Sequence, residues 1–130
     1  MNKTFIILAF LLILTANALA QTKPIIYFCE KYADGKEIGI SDKFSPGYFT
    51  IILRSGTKFD VDSVYIQSDK YNSKTKQFEY YSKLTYRVNR HDRFAHFTRD
   101  VKIQESGIFR IFILNTSNIV ITSNLIEITK

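Results

Sequence analysis

Between Phe78 and Val88, apolar and polar side chains alternate almost without interruption. Phe78, Tyr80, Leu84, Tyr86 and Val88 fall on one face, broken only at Ser82. Glu79, Tyr81, Lys83, Thr85 and Arg87 fall on the other. A period of two belongs to a β-strand with one buried and one solvated face. An amphipathic helix would instead repeat its apolar residues at every third or fourth position. The run is about twice the usual strand length of roughly 5–6 residues, so a bend or bulge is expected near Ser82.

The same period governs the chain from Pro24 onward. Ile25-Ile26-Tyr27-Phe28-Cys29 is β-branched and aromatic, and Pro24 is acceptable at a strand start. Asp34-Gly35 then supplies the two residues of a type I′ hairpin turn. After Ser45-Pro46-Gly47, Phe49, Ile51 and Leu53 share one face while Tyr48, Thr50 and Arg54 take the other, with Ile52 out of pattern. Val64 and Ile66 alternate with Ser63, Tyr65 and Gln67, and Tyr71-Asn72-Ser73-Lys74 reads as a polar loop. Phe97, Val101 and Ile103 mark a further strand.

Glu105-Ser106-Gly107 turns the chain into residues 108–114, which are apolar on both faces. Such a run suits a central strand covered on both sides, or one beside a partner. Residues 115–118 form a hairpin loop into Ile119-Val120-Ile121. The shift from odd to even apolar positions between Ile121 and Ile126 predicts a bulge at Ser123-Asn124. No segment after residue 20 has helical periodicity. Seven or eight short strands, with turns roughly every 8–12 residues, predict an antiparallel β-sandwich rather than a barrel.

The first twenty residues stand apart from this pattern. Lys3 gives a positive end, Phe5 to Leu14 is unbroken apolar sequence, and Ala18-Leu19-Ala20 is a small-residue cleavage site before Gln21. That layout is a secretory signal peptide, with Ala16-Asn17-Ala18 as a second cleavage site. Residues 21–130 then form a single domain, working in the periplasm or outside the cell. The apolar run falls short of the about 20 residues that span a bilayer, and no later segment approaches that length, so no membrane span is expected.

The only cysteine, Cys29, lacks a partner for an internal disulfide. It reads as a small buried residue of the first strand, with an intermolecular disulfide as the alternative. The net charge of +6 includes Lys3. The remaining basic residues are scattered among acids, without the concentrated stripe of a nucleic-acid interface. They suit acidic proteins, acidic glycans or anionic surfaces.

Little in the sequence assembles chemistry. His91 and His96 lie five residues apart, on opposite faces of an extended segment, too few for a zinc site even with Asp92 alongside. Asp60 and Asp62 share a side of the chain, but calcium requires about six to eight oxygens. Glu30 and Glu37 approach across the hairpin as a general acid–base pair or, as preferred here, in ion pairs with Lys31, Lys36 or Arg110. Ser41 and Ser45 lack the nucleophile-elbow context. Asn115-Thr116-Ser117 matches a glycosylation sequon, discounted because the short leader looks bacterial. No catalysis and no cofactor are expected.

Eight tyrosines and eleven phenylalanines make aromatic content the feature most open to a functional reading. Tyr48, Tyr65 and Tyr81 are expected to point outward. Tyr81, Lys83 and Arg87, with Thr85 between, form the candidate binding surface, because tyrosine offers stacking area together with a hydroxyl. Phe28-Cys29-Glu30, the run from Asp34 to Gly39, Phe44, Gly47 and the run from Gly107 to Ile111 resemble small exported bacterial proteins with an immunoglobulin-like β-sandwich. The resemblance implies a fold and no activity. Missing are the tryptophan and second cysteine of the antibody-type core. The expectation is an exported recognition domain for a protein or envelope component. A carbohydrate-binding module and a small secreted hydrolase are the alternatives.

Overall fold

Asp34 and Gly35 both adopt positive φ, 53° and 73°, the backbone a two-residue I′ turn demands. They join β1 (Ile25–Ala33) to β2 (Lys36–Ile40) in the first of a series of antiparallel pairings. The computed structural model describes residues 23–56, 61–88 and 96–130; the leader and cleavage sites expected from the sequence lie outside the described residues. Along these residues follow β3 (Lys43–Phe44), β4 (Gly47–Arg54), β5 (Ser63–Asn72), β6 (Gln77–Arg87), β7 (His96–Ile103), β8 (Gly107–Leu114) and β9 (Val120–Ile128). They form a four-stranded sheet ordered β2-β1-β4-β7 and a five-stranded sheet ordered β3-β9-β8-β5-β6.

The fold is therefore the expected all-β sandwich, with nine strands rather than seven or eight. One pairing departs from the antiparallel rule, since β3 runs parallel to β9 through Lys43↔Glu127 and Phe44↔Ile128. A strand of two residues is too short to leave a period in the sequence. Inward side chains of both sheets meet in one core, where Phe28, Phe49, Phe97 and Phe109 are fully buried among Ile51, Leu53, Ile66, Ile111, Ile113 and Ile126. Burying each such side chain contributes roughly 1.5–3 kcal/mol. Asn124 adds a polar tie between the sheets, its Nδ2 donating to the Ile26 carbonyl at 3.0 Å.

Three sequence expectations are corrected by register. Tyr71 and Asn72 are not loop but the end of β5, paired with Phe78 and Gln77. The irregularity expected at Ser123-Asn124 lies nearer the hairpin, between Ile113 and Leu114 opposite Thr122 and Val120. It lets Ile121 pack against the same core as Ile126 and Ile128. Finally, β8 is central, between β9 and β5, but its outer row is not covered along its whole length: Ile108 is 44% exposed, while Leu114 at the other end is buried.

Candidate binding surface

The bulge expected near Ser82 exists, and it decides which aromatics reach solvent. Register in the β5–β6 pair shifts between Ser68 and Asp69, so Ser68 opposes Ser82 while Asp69 opposes Tyr80. Tyr81 is the extra residue. A one-residue offset exchanges the two faces of a strand. Tyr81 accordingly packs against the core, edge-on to Phe109 with ring centroids 5.0 Å apart. Tyr80, expected inside, is 67% exposed. The candidate surface of Tyr81, Lys83 and Arg87 thus loses its tyrosine and keeps its two exposed cations.

What replaces Tyr81 is a broader array on the outer face of the five-stranded sheet. One cross-strand row runs Leu125, Arg110, Asp69, Tyr80. Beside it lie Ile108 opposite Glu127 and Tyr71 opposite Phe78. On the other flank Ser123, Phe112, Gln67 and Lys83 form a parallel row. Arg110 stacks its guanidinium 4.7 Å from the centre of the Phe78 ring, and Lys83 holds its ammonium 4.3 Å from that of Tyr65. Tyr71 and Phe78 touch with centroids 5.3 Å apart. Lys83 also donates to Asn118 Oδ1 at 2.6 Å, which fixes its position beside the β8–β9 loop. In that loop Asn115, the sequon asparagine, accepts from the Ser117 and Ile119 amides through its side-chain oxygen.

The four-stranded sheet presents a different outer face. Tyr27, Glu37 and Arg54, from β1, β2 and β4, form a closed polar clasp. The Tyr27 hydroxyl donates a short hydrogen bond to Glu37 Oε1, Arg54 Nη2 donates to the same oxygen at 2.7 Å, and Arg54 Nε donates to the Tyr27 hydroxyl at 2.6 Å. Hydrogen bonds from Arg54, then from Tyr27, hold the Glu37 carboxyl below its ordinary range. Burial and then the Glu37 bond push the Tyr27 hydroxyl up. Under this clasp Ile52 and Cys29 are fully buried. Thr50 donates its hydroxyl to Asp100 Oδ1 at 2.7 Å.

Ile52 and Thr50 thereby account for the broken alternation in β4, a strand buried on both faces from Phe49 to Leu53. Cys29 is a buried thiol of β1, as expected, but it lies opposite Thr50 and outside the inter-sheet core. Burial raises its pKa.

The other chemical candidates do not come together. Glu30 lays its side chain over Gly39 while Glu37 is held in the clasp, so no acid–base pair forms between them. The cation on Glu37 is Arg54, not Lys31, Lys36 or Arg110. Ser41 caps its own turn, accepting from the Lys43 amide at 3.0 Å. Ser45 enters no catalytic arrangement with a histidine or an acid among the described residues. Tyr48 is outward as expected, 68% exposed, with Lys102 5.3 Å from its ring centre. His96 contacts the Tyr32 ring at 5.6 Å, and its Nε2 is buried without a hydrogen-bond partner. His91, Asp92 and Asp60 lie outside the described residues. Among the described residues no three His, Cys, Asp or Glu side chains gather as a metal would require.

No protein-family model matches this chain, and no curated protein matches it in sequence. Among solved structures it is similar to an immunoglobulin-like protein from Pseudomonas aeruginosa. The TM-score is 0.51 at 9% identity, over 85% of this chain and 99% of that one. A superoxide reductase (neelaredoxin) variant from Ignicoccus hospitalis aligns with a TM-score of 0.42 at 13% identity, over 88% of this chain and 84% of that one. The first likeness bears on architecture: the chain has an immunoglobulin-like β-sandwich fold.

Proposed function

We propose that this chain is a non-catalytic recognition domain, exported from a bacterial cell, that binds a protein partner through the outer face of its five-stranded sheet. The observation that carries the reading is the composition of that face. A sheet face exposed only to water is ordinarily polar. Here Tyr71, Tyr80, Ile108 and Leu125 are all exposed side chains of one surface, with half-buried Phe78 and Phe112 on the same face. Tyrosine, phenylalanine and arginine on a pre-formed scaffold are the groups that dominate protein interfaces. Export rests on the sequence of residues 1–20 and is part of the same proposal.

A glycan is the second reading, favoured by the exposure of Tyr71 and Tyr80. Sugar binding by stacking needs open ring faces. Lys83 lies over Tyr65 and Arg110 over Phe78, which withholds one face of each ring from a sugar. Aliphatic Ile108 and Leu125 suit a protein surface better than a hydrated polysaccharide.

The test is affinity capture with the tagged protein against fractionated envelope of the source cells, in separate protein and polysaccharide pools. Retention of a protein that a Tyr80→Ala/Arg110→Ala variant loses is the expected result. Retention only from the polysaccharide pool would transfer the surface to the glycan reading. Retention from neither pool contradicts the proposal.

A further inference from the structure

On the outer face of the five-stranded sheet, Arg110 and Lys83 are stacked on rings and neither enters an ion pair. Three ion pairs form among the described residues: Lys43–Glu127, Arg54–Glu37 and Lys70–Glu105. None includes Lys83, Arg87 or Arg110. Of the acids on this face, Glu127 pairs with Lys43 at 3.4 Å, while Asp69, opposite Arg110 in the β5–β8 register, is turned to the Gln67 amide at 2.9 Å and forms no ion pair with the arginine. Arg110 and Lys83 occupy adjacent rows two strands apart. Standard sheet spacings put those stations about 12 Å from one another, with Asp69 and Gln67 of β5 between them and the apolar residues Ile108, Leu125 and Tyr80 in or beside the Arg110 row.

A cation lying on an aromatic ring keeps much of its outward field, because the ring attracts it without neutralising it. The stem beneath it is immobilised, so less side-chain entropy remains to be lost when a carboxylate arrives. A complementary surface therefore carries acids at matching positions, with apolar side chains to one side of them. A second copy of this chain fits poorly, since it brings the same cations and, as acids of this face, only Asp69 and Glu127, which are already held by Gln67 and Lys43.

We infer that the occupant of this face is an acidic protein segment, with carboxylates that meet Arg110 and Lys83 and apolar side chains that cover Ile108, Leu125 and Tyr80. The inference rests on the recognition reading above and adds the chemistry of the partner.

The probe is a synthetic peptide of about ten residues, near the upper length of ordinary strands, alternating glutamate and leucine. Its glutamine counterpart and an oligogalacturonate are the comparison ligands. Binding to the full protein is followed by amide chemical shifts, and carbodiimide coupling locates peptide carboxylates on Lys83. The glutamate peptide should bind, couple to Lys83 and weaken as salt rises. It should lose about tenfold in affinity against Lys83→Gln/Arg110→Gln, the equivalent of two exposed charge pairs. The wild-type salt series gives the same answer without any variant.

If the glutamine peptide binds equally well and Tyr80→Ala abolishes both, the recognition face stands and the acidic partner falls. If oligogalacturonate binds and the peptide does not, an acidic glycan takes its place. Binding that neither Tyr80→Ala nor the charge variant disturbs contradicts both readings. Absence of peptide binding, or concentration-dependent pairing of the protein with itself through this face, overturns the inference.

Discussion

Glu37 is one carboxylate on an edge strand, yet it ties three strands together because Tyr27 and Arg54 both donate to its Oε1. Its depressed pKa has a definite sign in stability. The contribution is fully present above the unfolded value of about 4.3 and is lost as pH falls through the lower folded value. Arg54 is half exposed, with 53% of its side chain accessible, so solvent screening keeps the effect near 1 kcal/mol. Glu37→Gln should destabilise by about that much at neutral pH and converge with wild type in acid. Urea unfolding at both ends of the range checks it, and a difference independent of pH would contradict the clasp. Cys29 gives a second residue-level prediction: fully buried and raised in pKa by burial, its thiol should resist a water-soluble thiol reagent until the protein unfolds. Rapid labelling of native protein would mean the four-stranded face opens.

Among the elements, β6 carries the sharpest test. Tyr81 lies edge-on to Phe109 and Tyr80 in solvent. Tyr81→Ala should therefore cost about 2 kcal/mol and Tyr80→Ala under about 0.5 kcal/mol, read by thermal or urea unfolding. The reverse order would place the bulge elsewhere. Gly39 in β2 has φ of 69°, a conformation that costs a side chain roughly 1–2 kcal/mol. Gly39→Ala should destabilise even in a Glu30→Ala background, where the contact with the Glu30 side chain is gone.

These elements also show how far the sequence could be read. Alternation located the longer strands, the Asp34-Gly35 pair the first hairpin, and the length of the run from Phe78 to Val88 the need for a bulge near Ser82; β3, with two residues, left no trace. It could not say which of the adjacent tyrosines at 80 and 81 faces in, because either residue satisfies an apolar position and the bulge moves the parity between them. The clasp was beyond reach for another reason. Tyr27, Glu37 and Arg54 stand far apart in the chain and converge only through the pairings of β1 with β2 and β4. The same pairings bury Ile52, which alternation alone treats as an error, and Thr50, which it places on an outward face.

For the whole molecule, each sheet edge is blunted in its own way. β3 has two residues, β2 has five and is interrupted at Gly39, and β6 is bulged and carries Lys83. Arg99, in the inward row of β7, lies 5.7 Å from the Tyr86 ring centre. Short length, bulges, lysine and inward charge all oppose edge-to-edge pairing. Sedimentation equilibrium should return the monomer mass across a concentration series, and a dimer would require an edge or face to be reassigned. With edges guarded, recognition falls to the faces, and the two faces differ in kind. The most direct measurement compares them in one capture experiment, with wild type, Tyr80→Ala/Arg110→Ala on the five-stranded face and Tyr48→Ala/Lys102→Ala on the four-stranded face. Partner protein lost only by the first variant is the predicted result. Partner lost only by the second, or by neither, would contradict the assignment of recognition to the five-stranded sheet.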